Sequence, residues 1–463
     1  MRGFGFGVDS CPLWGPRTLM KSLERLGRMA TKTKSKKLLS ISFESEIESS
    51  SKNNDSSETK PDASQSDKGS VWKYIALASI PLVLVLGNSM LVPILPQLQS
   101  QLHISQFQSS LVISIFSIAA ALIIPLVGYL SDRFSRKAIM IPALIVYGSA
   151  GILAGFAAAW GSYSWLIIAR AIQGISAAGT APIAMALVGD LFKDGEESKA
   201  LGLIEASNGA GKVVSPILGS LLALIVWYAA FFAFPIFCGI SLVMVIFLIK
   251  EPKRKNEPLP LKPYLHKIGA ILKKKGRWLI TSFFVGSLAL FILFGILFYL
   301  SNILEKKPYN IDGVVKGLVL AIPLLGLVTT SYISGSVVKK SGVLIRWFVN
   351  IGLIVMTASL ALAIFFNKNI YVFIGLLTLS SIGTGLLLPC LNTMITGSVE
   401  KGERGMITSL YNSLRFLGVA FGPPLFGWMM GISHATIFIT VSALSLIGLG
   451  LSFFLIKPDA TVK

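Results

Sequence analysis

Long apolar runs separated by short polar segments occupy the chain from residue 71 onward. Each run is close to the roughly 20 residues that a helix needs to cross a bilayer. The runs do not alternate with period two and are rich in glycine, which favours helices over the strands of a membrane barrel. The twelve predicted helices cover residues 72–98, 108–130, 138–159, 163–188, 199–225, 228–250, 277–300, 314–335, 345–366, 370–393, 405–430 and 434–456. The pattern therefore predicts an all-α membrane protein with twelve transmembrane helices.

The second half of the chain repeats landmarks of the first half at an offset of 207 residues. The matched landmarks are Gly128 with Gly335, Pro182 with Pro389, and Ser215-Pro216 with Gly422-Pro423. One shift that aligns three places predicts two six-helix pseudo-repeats, at 71–250 and 277–458, joined by a cytoplasmic linker at 251–276. Two parallel repeats of this kind place a substrate site between them, near the middle of the membrane.

Composition and charge support a membrane protein and exclude other classes. The chain is 53% hydrophobic, with a mean hydropathy of +0.71, and only 14% of its residues are charged, whereas soluble chains are about a quarter charged. The net charge of +20 is concentrated on one side. Ten Lys or Arg residues lie between Lys250 and Arg277, but the loops predicted outside carry only Lys306, Lys307 and Lys368.

This asymmetry is the positive-inside bias of a multi-pass protein of the cell membrane with both termini in the cytoplasm. A basic linker that faces anionic lipid accounts for the charge, so no nucleic-acid partner is predicted. Residues 1–70 are basic at first and then rich in Ser, Asp and Glu, which predicts a disordered cytoplasmic tail; a transit peptide is the alternative. Cys11, Cys238 and Cys390 have no metal-ligand spacing, so no metal site is predicted.

Several motifs resemble those of the major facilitator superfamily. Residues 128–137 read Gly-Tyr-Leu-Ser-Asp-Arg-Phe-Ser-Arg-Lys and resemble the signature loop between its helices 2 and 3, with Ser135 in place of the second glycine. Arg170-x-x-Gln173-Gly174 resembles the helix-4 motif of the superfamily. The resemblance covers about residues 71–458 and implies the major facilitator fold.

Two further motifs resemble those of bacterial twelve-helix drug/proton antiporters. Leu86-Gly87 with Pro93 and Pro96 resembles their helix-1 motif. The segment from Gly211 through Ser215-Pro216 to Gly219 resembles the helix-5 motif associated with exporters, with serine at 215 and 220 in place of two glycines. Residues 204–213 also resemble the same segment of siderophore exporters of Gram-positive bacteria.

The signature loop is a candidate gate at the cytoplasmic end of the bundle. The resemblance implies that the loop holds one access state shut, through Gly128, Asp132, Arg133, Arg136 and Lys137. A carboxylate there can accept hydrogen bonds at a helix N-terminus and pair with arginines. The alternative is that the cluster only anchors the loop. The second repeat has Lys339 where the first has Asp132, so any gate is asymmetric.

Four ionised side chains lie well inside the predicted helices, where charges are costly and usually face a cavity or a partner: Arg170, Glu205, Lys212 and Arg415. The helix at 199–225 carries a polar stripe at helical spacing, which we expect to face inward. The stripe comprises Glu205, Asn208, Lys212, Ser215 and Gly219. The helix at 405–430 has Asn412 and Arg415 at the positions that repeat Glu205 and Asn208.

Glu205 is the candidate proton-carrying group, with Arg170 as its neighbour. Burial of the carboxylate and a nearby cation shift its protonation in opposite directions, so a conformational change could switch it. The alternative is a permanent ion pair of Glu205 with Lys212 or Arg170. No histidine lies inside a predicted helix, so a histidine relay is not expected.

The balance of charge inside the helices predicts the class of substrate. Three cations face one carboxylate, an excess that favours an anionic, phenolate-bearing, zwitterionic or neutral amphipathic molecule over a lipophilic cation. Lys212 and Arg415 are expected to meet its negative charge, and Asn208, Gln173 and Asn412 to line its path. The alternative is that both cations bind backbone carbonyl groups away from the path.

Small residues and prolines recur at matched places in the two repeats. Glycines such as Gly211 let helices approach closely, and Pro216 and Pro423 each remove a backbone hydrogen bond and can bend a helix. The same segments contain Ser215, Gly219 and Gly422. Hinging and simple close packing are both consistent with this pattern.

The sequence therefore predicts a monomeric secondary transporter that needs no cofactor and catalyses no reaction. We expect export of small amphipathic or anionic molecules, as in multidrug or siderophore efflux, with a proton gradient as the driving force. An uptake symporter of the same fold is the first alternative. A non-transporting membrane sensor or scaffold is the second.

Overall fold

The computed structural model describes residues 63–192, 194–251, 261–338, 341–366, 368–397 and 404–456. The predicted tail at 1–70 lies almost entirely outside the described residues. Residues 67–463 form one compact unit. The α-helices in the described residues are α1 Ala63–Ser89, α2 Leu95–Leu102, α3 Gln106–Arg133, α4 Arg136–Ala159, α5 Tyr163–Ala177, α6 Ala181–Leu191, α7 Asp194–Ala223, α8 Ala229–Leu248, α9 Leu261–Glu305, α10 Gly313–Val338, α11 Gly342–Phe365, α12 Ile370–Gly397, α13 Arg404–Met430 and α14 His434–Leu455.

These helices make twelve spans, which confirms the predicted fold class. A short 3-10 turn, Val92–Ile94, joins α1 to α2 within the first span, and α5 and α6 together make the fourth. The other helices are one span each. Helix α9 runs without a break from Leu261 to Glu305, so the described part of the predicted linker is a helical extension of the seventh span.

Only ten of the spans in the described residues are long and apolar enough to cross a membrane by length and composition. The two that fall short are α7 and α13, which the 207-residue repeat relates to each other. They fall short because they carry charged and amide side chains, among them Glu205, Lys212 and Arg415. The polarity of the bundle is therefore concentrated in one pair of repeat-related helices.

The fourth span is divided, whereas its repeat partner α12 is continuous. Helix α5 ends at Ala177, and α6 begins at Ala181 with Pro182 in its first turn. The Thr180 hydroxyl donates to the carbonyl of Ala177 at 2.6 Å in the turn between them. Pro389 lies inside α12 without ending it. The two prolines occupy matched positions, but Pro182 begins a helix in the first repeat, whereas Pro389 lies inside a continuous helix in the second.

Glycines let the backbones of neighbouring helices approach closely in both halves. A methyl group added to Gly219 of α7 would lie 2.1 Å from the carbonyl oxygen of Met90. In the other half, a methyl group on Gly418 of α13 would lie 2.1 Å from the carbonyl oxygen of Ser287 in α9. Each polar helix is therefore seated directly on the first helix of its own half, as small residues allow in membrane bundles.

Two helix pairs in the body of the bundle join the two halves. Between α3 and α13, the hydroxyl of Ser413 donates to the carbonyl of Ala121 at 2.6 Å. Between α7 and α10, a methyl group on Gly317 would lie 2.7 Å from the carbonyl oxygen of Pro216. Helices α7 and α13 therefore each border the opposite half as well as their own.

The bundle has two ends, which we name the linker end, where α8 ends and α9 begins, and the far end. At the far end, Ser301 of α9 donates to the carbonyl of Val92 at 2.9 Å, and Gln99 of α2 donates to Asn302 at 3.3 Å. These bonds join the first spans of the two halves. They close the far end between α2 and α9 in this structure.

We expect Gly219→Ala to lower the thermal stability of the purified protein. The added methyl group forces α7 away from α1, and overpacking of this kind costs about 1–3 kcal/mol. Gly375→Ala in α12 is the matched control, because an added methyl group there has no atom within 4 Å. Melting temperatures in detergent measure the effect. Equal melting temperatures for the two variants would contradict the close approach.

Candidate functional site

The contacts of α7 place its polar stripe between the two halves. One side of α7 meets α1, where Ser207 donates to the carbonyl of Ala78 at 2.7 Å. Another side meets α10 through Gly209, whose added methyl group would lie 2.9 Å from Val328. Glu205, Asn208 and Lys212 lie on the helix face between these two sides. The packing of α7 therefore directs these three side chains toward the space between the halves, as the sequence predicts.

The contacts of α13 place Asn412 and Arg415 in the equivalent position. Tyr411 stacks on Phe283 of α9 with ring centroids 5.7 Å apart, while Ser413 binds α3 as described above. Asn412 and Arg415 lie on the face between those contacts. The opposite face carries large exposed apolar side chains, such as Trp428 at 62% exposure, as expected of a surface that meets lipid.

Three charges from the two halves meet in this region. Lys212 lies within electrostatic range of both Arg415 and Glu205, and Tyr411 lies within range of the same Arg415 and Glu205. Arg415 donates to Asn412 at 3.4 Å and lies 5.4 Å from the centre of the Tyr411 ring. The cluster of Glu205, Lys212 and Arg415 therefore has a formal charge of +1, shared between α7 and α13.

No direct ion pair joins Glu205 to Lys212 or to Arg170 among the described residues. The Glu205 side chain is exposed and that of Lys212 is half-buried. The permanent pair that the sequence left open is therefore not formed in this conformation. An accessible carboxylate near two cations is free to exchange one partner for another.

Polar atoms in the same region lack partners within the protein. The Asn208 side-chain oxygen, the Arg415 Nε, the Thr408 hydroxyl and the Tyr411 hydroxyl are buried without a hydrogen bond. Buried polar atoms are normally paired, and each unpaired one costs about 1–3 kcal/mol. A polar ligand could pair with these three oxygen atoms, which can all accept hydrogen bonds, and with the guanidinium nitrogen, which donates.

Arg170 lies elsewhere, buried within the first half. Its guanidinium donates to the carbonyls of Val112 at 2.8 Å and Gly87 at 3.3 Å, and to Asn88 at 3.1 Å. It also lies 4.5 Å from the centre of the Phe116 ring. Arg170 thus clamps α5 to α1 and α3.

The positions of Gln173 and Arg170 change the charge balance that the sequence suggested. Gln173 accepts from Arg170 at 2.7 Å and is fully buried beside it, so it belongs to the same clamp. With Arg170 inside the half and away from the cluster, the excess facing the space between the halves is +1, not +2.

The signature loop is held to its own half at the linker end. Glu251 accepts from the backbone N–H groups of Arg136 at 2.7 Å and Lys137 at 2.9 Å, and so caps the N-terminus of α4. The Arg136 guanidinium pairs with Asp190 of α6 at 3.1 Å. The Lys137 ammonium donates to the carbonyls of Ile246 and Ile249 at the C-terminal end of α8.

Gly128 of this motif lies against the other half. A methyl group added to Gly128 would lie 2.6 Å from the hydroxyl oxygen of Ser409 in α13. Arg133 is exposed, and the side chain of Asp132 lies outside the described residues. The role of this loop as a gate stays a prediction. The contact between Gly128 and Ser409 is where α3 and α13 must separate if the linker end is to open.

Some residues were missed by reasoning from the sequence alone. Glu251 and Asp190 supply the carboxylates at the signature loop, yet each stands at a helix end where an acidic residue attracts no notice. Tyr411 was hidden because aromatic residues are common in membrane helices. At the far end, Lys316 of α10 is buried and pairs with Glu305 at 3.4 Å. Lys316 stands near the start of the predicted span at 314–335, so it was not counted among the charges well inside the helices.

Known proteins resemble the chain over almost the whole described region. A model of the Major Facilitator Superfamily matches residues 77–307 and 298–463. The chain is 44% identical to the bacillibactin exporter of Bacillus subtilis (strain 168) over 384 residues, which are 82% of this chain and 95% of that protein. It is 25% identical to multidrug resistance protein 1 of the same organism over 375 residues, which are 79% of this chain and 91% of that protein.

The solved structures agree on the fold. The human organic anion transporter MFSD10 (TETRAN) superposes with a TM-score of 0.66 at 20% sequence identity, over 83% of this chain and 99% of that one. The resemblance that the motifs at 128–137 and 170–174 indicated is thereby confirmed. Twelve spans in two related halves, a polar pair of helices between them and these matches lead to one conclusion: the chain belongs to the Major Facilitator Superfamily of membrane transporters.

Proposed function

We propose that this protein exports anionic, phenolate- or catecholate-bearing molecules of the siderophore type across the cell membrane. The observation that carries the proposal is the pair of cations Lys212 and Arg415, which come from different halves and face the same space. The relative at 44% identity, a bacillibactin exporter, supports it and makes bacillibactin the first substrate to test.

Two cations from separate halves are suited to sensing an anion. Lys212 and Arg415 repel each other when the space between them is empty, and an anion between them removes that repulsion. A substrate held by both cations therefore favours the arrangement in which α7 and α13 are close. Alternating access then needs the α3–α13 contact at Gly128 and the α2–α9 bonds at the far end to open in turn.

The proton-motive force supplies the energy in this proposal. The membrane potential, negative inside, contributes about 2.3 kcal/mol per negative charge exported for each 100 mV. Glu205 links transport to protons, because its ionised carboxylate competes with the substrate for Lys212 and Arg415. Protonation of Glu205 raises the charge of the cluster from +1 to +2, so it strengthens binding of an anion. A proton that left together with the anion would move outward against its gradient, so the membrane potential is the part of the proton-motive force that drives export, and Glu205 sets how binding depends on pH.

The proposal also includes the orientation of the protein, its oligomeric state and the bending of its helices. The positive linker faces the cytoplasm, both termini are cytoplasmic, and the protein acts as a monomer in the cell membrane. Arg170 serves the coupling indirectly, by fixing α5 against α1 and α3. Hinging of α7 at Pro216 and of α13 at Pro423 is part of the same proposal.

Direction is tested by accumulation in cells. Cells that express the protein should retain less bacillibactin than cells without it, and an uncoupler should remove the difference. Lower retention of anionic compounds but not of matched cationic compounds supports the charge argument. Greater retention in expressing cells would show uptake, the alternative that the serines at 215 and 220 leave open.

We expect Lys212→Gln to reduce transport of anionic substrates by about 10- to 100-fold in kcat/KM, because a hydrogen bond to a charged group contributes about 1.5–3 kcal/mol. Neutral substrates of similar size should lose much less. Lys212→Arg is the matched control, since it keeps the charge and should restore most of the activity. Vesicle transport assays on protein that elutes as a single species provide the measurement. An equal loss for anionic and neutral substrates would contradict the proposal that Lys212 binds the negative charge of the substrate.

We expect Glu205→Gln to lower the KM for an anionic substrate and to remove most of the pH dependence of its transport. The variant cluster has no carboxylate that can ionise, whereas the charge of the native cluster varies with the ionisation of Glu205. The measurement is transport in vesicles at a clamped membrane potential and a series of pH values. If the variant keeps the native pH dependence, Glu205 is not the coupling group.

A further inference from the structure

An aromatic cluster lies at the far end of the second half, apart from the space between α7 and α13. Tyr299 of α9, Phe373 of α12, and His434 and Phe438 of α14 have ring centroids 4.8 to 6.0 Å apart. Several of these ring pairs meet edge to face, an arrangement that stabilises aromatic clusters. Three helices of one half are thereby joined, and the cluster does not depend on contact with the other half.

The polar atoms of this cluster are satisfied internally. His434 Nε2 lies 3.2 Å from the carbonyl oxygen of Ala363, which can only accept, so Nε2 carries the proton. His434 Nδ1 is hydrogen-bonded to the Tyr299 hydroxyl. Both ring nitrogens of His434 are therefore paired within the protein. The cluster presents an aromatic floor whose polar atoms already have partners.

A cavity of about 280 Å³ opens above this floor. Lys306, Lys307 and Tyr309, from the segment between α9 and α10, form its rim together with Ile303. Both lysines are exposed, and neither has an ion-pair partner within the described residues. The loops predicted outside contain only one other cation, Lys368, so two of the three cations there border a single aromatic cavity.

We propose that this cavity is a binding site for an anionic aromatic group, namely a ring that bears a carboxylate or a phenolate. The ring stacks on Tyr299, Phe373 and Tyr309, and its negative charge meets the ammonium groups of Lys306 and Lys307. The volume fits this ligand, since a cavity of about 150 Å³ accommodates benzene, and the remainder has room for one or two oxygen substituents. A cationic ring would be repelled by both lysines.

The site stands on its own residues, and no part of it belongs to the cluster around Glu205. If the proposed function holds, both sites recognise an anionic aromatic group. An aromatic group of the substrate would then bind a second time, at the far end of the bundle. The binding test is therefore made in a background that lacks the central cations, so its outcome does not depend on transport.

The test uses purified full-length protein that carries Lys212→Gln and Arg415→Gln, with 4-fluorobenzoate as the probe observed by fluorine NMR. Binding should broaden and shift the probe resonance. Adding Lys306→Gln and Lys307→Gln should weaken binding about tenfold, since an exposed charge pair contributes modestly to binding. Lys368→Gln, the matched control on the same side of the molecule, should leave binding unchanged.

A neutral probe separates charge recognition from stacking. 4-Fluorobenzyl alcohol should bind at least several-fold more weakly than 4-fluorobenzoate in the parent background, and it should be indifferent to the lysine changes. The proposal is overturned if 4-fluorobenzoate does not bind, if the two probes bind equally, or if Lys306→Gln with Lys307→Gln binds as the parent does. All the altered lysines are exposed, and gel filtration of each variant checks that the fold is kept.

Discussion

A charged side chain in the middle of a bilayer costs about 2.5–3.5 kcal/mol even by the lower estimates, and Glu205, Lys212 and Arg415 lie well inside helices of the membrane bundle. That cost determines how α7 and α13 are packed. Neither helix can show its polar face to lipid, so each is enclosed by one helix of its own half and one of the other. The close packing that encloses the two helices is seen where Gly219 approaches Met90 and where Gly418 approaches Ser287.

The enclosure also explains why the two ends of the bundle are built differently. At the far end, the first spans of the halves are joined by hydrogen bonds between α2 and α9, such as that from Gln99 to Asn302. At the linker end, Arg136, Lys137 and Glu251 bind groups of the first half and join α4 to α6 and α8. The two halves also approach each other at this end, where Gly128 lies against Ser409 and Tyr129 packs with Met406.

Much of this arrangement could be predicted from the sequence because it follows from periodicity. The spans, the repeat and the inward stripe of Glu205, Asn208 and Lys212 rest on spacing along single helices, which a sequence records directly. The role of a buried charge rests on its partners, which a sequence does not record. Arg170 and Arg415 give the same signal, an arginine inside a span, yet Arg170 binds backbone carbonyls within one half and Arg415 faces the space between the halves. Glu251 was missed for a related reason, since its partners are N–H groups 114 and 115 residues away.

The polarity of α7 and α13 has a consequence for how the protein is made. Neither helix is apolar enough to be recognised as a span by its own composition, but each is followed by one that is: α8 has a window hydropathy of 2.6 and α14 one of 2.2. A polar helix can enter the membrane together with the apolar helix that follows it, as a hairpin. The favourable free energy of inserting the apolar helix then offsets the unfavourable free energy of inserting the charges. The short turns after α7 and α13 suit such pairs. The helices that carry the site thus depend, during synthesis, on helices that take no part in it.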